Sequence, residues 1–264
     1  MPYHHSKFYH VFWRMVVGKA PSSSPGEHHR EIRSAGGSFA LAVLVALTLR
    51  TLLFEPYYIP SGSMKSTLLV GDFIVVNKYA YGYSRHSLPF GPPVFEGRIA
   101  ARHLPERGDI VVFVKGGTKY IKRLIGLPGD IVQMKDGNLF LNHQRVEKRP
   151  DGTFTDTDGN VLRRYIESLA PTVSYVVLDQ YQNGPYDNTP AIAVPEGHYF
   201  FMGDNRDNSG DSRAGMGMIP LENIVGKASY ILLSMREPLW KIWRWYSAYD
   251  RHQSFTSLDK HRTP

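Results

Sequence analysis

The sequence of 264 residues contains no cysteine. A disulfide framework, a thiolate nucleophile and a thiolate metal site are therefore excluded, while the compartment stays open, because either side of a membrane suits such a chain. An arginine-rich block and an aromatic strand of the RNA-binding kind are also missing, although the formal net charge is +7. Basic residues spread along the chain argue against nucleic acid as a partner and fit a cationic surface near anionic lipid. No internal repeat is visible. The 42% apolar and 12% aromatic content is that of a folded protein, and the length suits one or two domains.

Long apolar runs are scarce, and the one that stands out covers Gly36 to Phe54. From Ser38 it supplies about 17 residues, or roughly 26 Å of helix, close to a hydrocarbon core of about 30 Å. Arg50 lies one turn from the end, where a long side chain reaches the headgroups. The run is too far from the N-terminus for a cleaved leader, and no small-residue cleavage site follows it. A buried helix in a soluble core is the rival reading. Lys7, Arg14, Lys19, Arg30 and Arg33 precede the run, whereas only Lys65 and Lys78 follow it closely. The excess of positive charge before the run predicts a cytoplasmic tail over 1–35, one transmembrane helix over 36–56 and export of everything beyond. Within the tail, the apolar patch from Phe8 to Val17 is too short to span a bilayer, and the pairs His4-His5 and His28-His29 are assigned no metal.

After this run the texture is β. Phe73–Val76 and Ile110–Val114 are short β-branched runs bounded by Gly-Asp turns, and Thr118–Ile125 leads to Gly126-Leu-Pro-Gly-Asp130. Strands are expected at Ile131–Met134 and Leu139–Leu141 around the turn Asp136-Gly137, and a buried strand after Val194. The expected fold is mainly β, a catalytic domain of 57–141 and 196–235 with 142–195 inserted as a smaller β/loop subdomain. A tail over 236–264 carries Trp240, Trp243, Trp245 and Tyr246 among basic residues, which suits a membrane interface or a packed helix equally.

Chemistry concentrates in three places. Pro60 and Gly62 flank Ser61 in a shaped turn that aims hydroxyls and a backbone N–H at one point, with Ser63 the candidate nucleophile. No histidine is patterned to pair with it, and His198, before a buried strand, reads as structural. Lys122 is a candidate base, because burial lowers a lysine from its usual pKa of about 10.4 into a useful range. An ordinary surface lysine on an edge strand is the plainer reading. The segment from Gly203 to Arg213, dense in Asp, Asn and Ser, fails the spacing of a calcium-binding EF-hand loop. A solvated turn and a hydrogen-bonded platform built on Asp211, Arg213 and Ser209 both remain open.

Taken in order, Ile59–Met64, Gly71–Val76, Arg107–Phe113, Tyr120–Asp130 and Gly203–Arg213 resemble the matching motifs of type I signal peptidases, the membrane-bound Ser/Lys proteases. The resemblance covers most of residues 36–233 and is weak over 142–195. It implies signal-peptide cleavage after small residues of the Ala-x-Ala type, on the outer face of a bacterial inner membrane, with preproteins and membrane lipid as partners and no cofactor; the oligomeric state is left open, with a monomer assumed. By the same resemblance Ser63 is the nucleophile and Lys122 the general base. Ser61 hydroxyl and Ser63 N–H form the oxyanion hole, Ser209 orients the Lys122 amine, and Asp211 and Arg213 support the site with Arg123. Tyr57, Ile59, Met64, Leu68 and Ile121 match the pockets for the small residues. One departure stands out: Ser66 occupies the position where the family usually carries proline.

Overall fold

The computed structural model describes residues 37–48, 52–88, 91–92, 95–101, 103–156, 159–235 and 254–259. The chain divides into two compact units, Met1–Thr48 and Leu49–Pro264. The apolar patch near the N-terminus, the histidine pairs and the tryptophan-rich segment lie outside the described residues.

In the first unit, residues 37–48 are helical and exposed throughout, Phe39, Leu41, Leu44 and Leu47 included. Among the described residues no helix is long and apolar enough to cross a membrane. The expected helix over 36–56 also fails at its far end, where Phe54–Tyr58 forms a strand. Pro56 explains this: it has no N–H for a helical bond, and an edge strand tolerates it.

The second unit is mainly β, with short 3₁₀ turns between strands. In chain order the strands are β1 (Phe54–Tyr58), β2 (Asp72–Asn77), β3 (Ile110–Lys115), β4 (Thr118–Gly126), β5 (Ile131–Lys135) and β6 (Asn138–Leu141). They continue with β7 (Gln144–Arg145), β8 (Glu147–Thr155), β9 (Val161–Ala170), β10 (Val173–Asp179) and β11 (Ile192–Ala193). The last four are β12 (His198–Met202), β13 (Ile219–Pro220), β14 (Ile224–Ser234) and β15 (Thr256–Ser257). The main sheet has the order β1-β2-β14-β3-β4-β12-β13, with β15 added on β14. A four-stranded sheet runs β11-β5-β6-β7 and a three-stranded one β10-β9-β8. All named pairings are antiparallel. Asp136 and Gly137, both at positive φ, close the β5–β6 hairpin as two-residue turns of this kind require.

The alternation in β2, buried at Asp72, Ile74 and Val76 and half-buried between, is that of a strand with one face on the core. The second half of β4 is buried at every position, because both its faces are covered. Three apolar clusters do the covering. One gathers Ile59, Met64, Leu68, Ile74, Val76, Ile110 and Val112 around the serine turn. Another packs Val111, Phe113, Leu124, Tyr199 and Phe201. The third joins the main sheet to the smaller ones through Ile125, Val132, Tyr175, Val177, Phe200 and Met202. The described end of the C-terminal tail belongs to this core as well, since Leu258 is buried beside Ile231.

Candidate active site

The serine turn is a loop closed at its base. Ile59 N–H donates to Asp72 O at 2.8 Å and Gly71 N–H to Ile59 O at 3.0 Å, so the chain leaves β1 and re-enters β2 through one narrow neck. The Asp72 carboxylate accepts Leu69 N–H at 2.8 Å and the Ser234 hydroxyl at 2.6 Å, fixing that neck to β14. Ser61 is extended and exposed, and its hydroxyl makes no cap to the 3₁₀ turn Gly62–Met64 that follows. Ser63 therefore stands on a short turn whose underside, Met64, is fully buried.

Lys122 meets it from β4. Its amine is hydrogen-bonded to Ser63 Oγ, and the residue is 3% exposed. Among the described residues Lys122 forms no ion pair. Burial lowers its pKa from the ordinary 10.5 to about 8, against the opposing pull of Asp211 and Asp204 and with slight help from Arg213. A cation stripped of water without a carboxylate in contact gives up its proton more readily.

The Gly203–Arg213 segment is a platform rather than a solvated turn. Gly203 itself packs where any Cβ would overlap Ser209 and the Ser63 carbonyl, so a side chain there would push the turn away. Asn205 N–H donates to Ser63 O at 3.1 Å, and the Asn205 amide donates to Gly62 O at 3.0 Å. Asp211 is fully buried and receives Arg213 Nε at 3.0 Å, Arg213 Nη2 at 2.8 Å and Gly203 N–H at 3.0 Å. Burial alone would raise the Asp211 carboxyl, but the Arg213 charge and these donors hold it below its usual value. Ser209 Oγ approaches Asp211 closely enough to help, yet it sits outside hydrogen-bonding geometry with any described residue. In particular it makes no hydrogen bond to Lys122, the bond expected of it.

Arg123, next to Lys122, is held in a different way. Its guanidinium donates to both oxygens of Asp204 at 2.8 and 2.7 Å and to Gly108 O at 2.9 Å, and lies 4.1 Å from the Tyr175 ring centroid. Thr67 joins the same carboxylate through its hydroxyl at 2.5 Å. Burial pushes the Arg123 pKa down, yet Asp204 outweighs it and the result is upward.

The five residues matched to the pockets come together in the cluster beneath the serine turn. Ile59, Met64 and Leu68 are buried in it, while Tyr57 and Ile121 pack against it half-exposed. Lys119 donates to Tyr57 OH at 2.9 Å and lies 4.6 Å from that ring. Asn205, Asp204 and Thr67 were not singled out by sequence reasoning. Their motif neighbours were the only signal, since nothing in residue type says which Asn of the segment turns its amide to the serine loop. Among the described residues no cluster of three or more His, Asp or Glu is placed to hold a metal.

The family described as signal peptidase, peptidase S26, matches residues 32–233. The chain is 44% identical over 215 residues to signal peptidase I of Rickettsia felis, covering 77% of this chain and 80% of that protein. It is 42% identical over 223 residues to signal peptidase I of Rickettsia typhi, covering 80% and 84%. A crystal structure of a signal peptidase I from Enterococcus faecalis V583 aligns with 26% identity and a TM-score of 0.31, over 48% of this chain and 98% of that one.

Proposed function

The chain belongs to the signal peptidase family, peptidase S26, and from that premise we propose that Ser63 and Lys122 form its catalytic dyad. The protein is a serine peptidase that removes signal peptides from preproteins. The observation that carries the assignment is the buried Lys122 amine, bonded to Ser63 Oγ and without a carboxylate in contact. With a pKa of about 8, roughly one molecule in ten is neutral at pH 7, against about one in a few thousand for an unperturbed lysine.

In this reading the neutral amine takes the Ser63 proton while Oγ bonds to the scissile carbonyl carbon. The carbonyl oxygen becomes an oxyanion, met by Ser63 N–H and the Ser61 hydroxyl; such a donor contributes about 10²–10³ in kcat. The Lys122 ammonium then protonates the leaving amine as the C–N bond breaks, which leaves an acyl ester on Ser63. A water attacks that ester, losing its proton to Lys122, and the released alkoxide of Ser63 recovers the proton. Ser209, whose buried hydroxyl has no hydrogen-bond partner among the described residues, is assigned to the Lys122 amine once substrate displaces the resting contacts. Asp211 and Arg213 fix the loop that carries it. Tyr57 and Ile121 form the open walls, and Ile59, Met64 and Leu68 the filled floor, of pockets that admit alanine-sized side chains and exclude bulky ones.

We assign 57–141 and 196–235 to the catalytic domain, 142–195 to an insert, and the apolar segment ahead of β1 to the membrane anchor, with the tail cytoplasmic and the catalytic domain on the outer face. Membrane contact is further supported by Phe54, Tyr58, Tyr79, Tyr230, Leu232 and Phe255, all large and exposed on or near the β1, β2 and β14 edge of the main sheet. The test is cleavage of a preprotein by the detergent-solubilised chain. Cleavage after a small residue, abolished in both Ser63→Ala and Lys122→Ala, is expected; near-normal activity of Lys122→Ala would remove lysine as the base.

A further inference from the structure

Ser66, three residues beyond Ser63, has a φ of 84°. The turn it belongs to is well defined. Lys65 at φ −49° and ψ 147° is followed by Ser66 at positive φ, and Thr67 N–H closes back on Met64 O at 3.1 Å. That is a type II turn, whose third residue is normally glycine or asparagine because a Cβ is disfavoured there. Proline, fixed near −65°, cannot occupy it. The replacement of the family's usual proline is thus accompanied by a backbone that proline could not adopt.

A strained residue persists only where its surroundings hold it, and here two adjacent side chains do so. Ser66 Oγ donates to Val176 O of β10 at 3.1 Å. Lys65 runs its aliphatic stem across Gly62 and ends 3.1 Å from Asp156, at the end of β8, in an ion pair with side-chain exposures of 15% and 6%. The loop of the nucleophile is therefore fastened to the three-stranded sheet at two points. On its other side Thr67 binds Asp204, and Asn205 binds the Gly62 and Ser63 carbonyls.

We infer that Ser66 is a positioning residue for Ser63, and that through it the inserted β8–β9–β10 sheet sets the aim of the nucleophile. This rests on Ser63 being the nucleophile. The hydroxyl tether holds a positive-φ turn that fixes the Ser63 backbone against Asn205, and misplacement of a reacting atom by about 1 Å costs on the order of 10²-fold.

The experiment compares Ser66→Asn, Ser66→Ala and Ser66→Pro with wild type and Ser63→Ala, in detergent, on a preprotein substrate. Thermal melting fixes a temperature at which every variant compared is folded. Asparagine tolerates positive φ and its amide can donate to Val176 O, so Ser66→Asn is expected within about 2-fold of wild-type kcat. Ser66→Ala loses the tether, and kcat should fall about 3- to 10-fold, the net worth of one hydrogen bond. Ser66→Pro forbids the turn, and a loss of about 100-fold is expected. KM and the lysine limb of the pH profile should stay in place across the folded variants, because the amine is not moved. Wild-type kcat in Ser66→Ala, or equal losses in Ser66→Asn and Ser66→Ala, would overturn the inference while an inactive Ser63→Ala left the nucleophile standing. Activity in Ser63→Ala would instead sink the reading on which it rests.

Discussion

Lys122 and Arg123 are neighbours on one strand, and both are buried, at 3% and 1% exposure. Arg123 faces a carboxylate that takes two of its N–H groups, and its charge is locked. Lys122 faces a serine hydroxyl, and its charge is loosened to a pKa of about 8. Burial acts on both in the same direction, so the partner decides the outcome. The same contrast holds for Arg213–Asp211 and Arg206–Glu167, both bidentate pairs, whereas the Lys122 amine has no carboxylate partner among the described residues. The arginine pairs form a rigid charged frame, and the lysine is the group left free to exchange a proton within it.

The comparison can be broken most severely by making the two residues alike. Lys122→Arg puts a guanidinium that does not deprotonate where a base is required, and preprotein cleavage should drop by about 10⁴-fold or more. Removing the partner from the other residue comes next. Asp204→Asn leaves Arg123 buried and uncompensated, and unfolding by denaturant should show a loss of about 3–5 kcal/mol. Lys122→Met removes the unpaired amine and should stabilise the protein near pH 7 by about 3 kcal/mol, the equivalent of the shift from 10.5 to about 8. The sign follows from proton binding. Between about pH 8 and 10.5 the unfolded chain holds the lysine proton and the folded one has released it, so Lys122 makes stability rise with pH across that window. Below pH 8 its penalty is present in full, and Lys122→Met should abolish that slope. Smallest is Asn205→Ala, which removes the side-chain bond to the Gly62 carbonyl and leaves the backbone N–H on Ser63 O; a fall in kcat of about 10-fold with little change in KM is expected.

The parts of this frame that read directly from sequence are those that depend on local pattern. The β-branched runs around Ile74, Val111 and Val132, the Asp136-Gly137 turn and the ordered motifs all carry short-range signals that the strands and the hairpin reproduce. Chemistry set by distant partners did not read out. Whether Lys122 is a surface lysine or a buried amine depends on Ser63, 59 positions away in sequence, and no window around either residue contains that information. Asn205 and Asp204 acquire roles only because the loop after β12 packs against the serine turn. Ser66 is the sharpest case, since a serine by itself gives no sign of positive φ; the tether to Val176, 110 positions on, holds it there. The strand from Phe54 was legible in principle from Pro56, but the apolar residues Leu52, Leu53 and Phe54 before it masked the change to strand.

The central claim is that an unpaired buried amine works as the base, and its ionisation can be measured directly. In full-length protein carrying isotope-labelled lysine, NMR titration should show one lysine, absent from Lys122→Met, changing charge near pH 8, with the rising limb of kcat/KM at the same pH. A Lys122 signal titrating near 10.5, or a pH profile that does not follow it, would contradict the account.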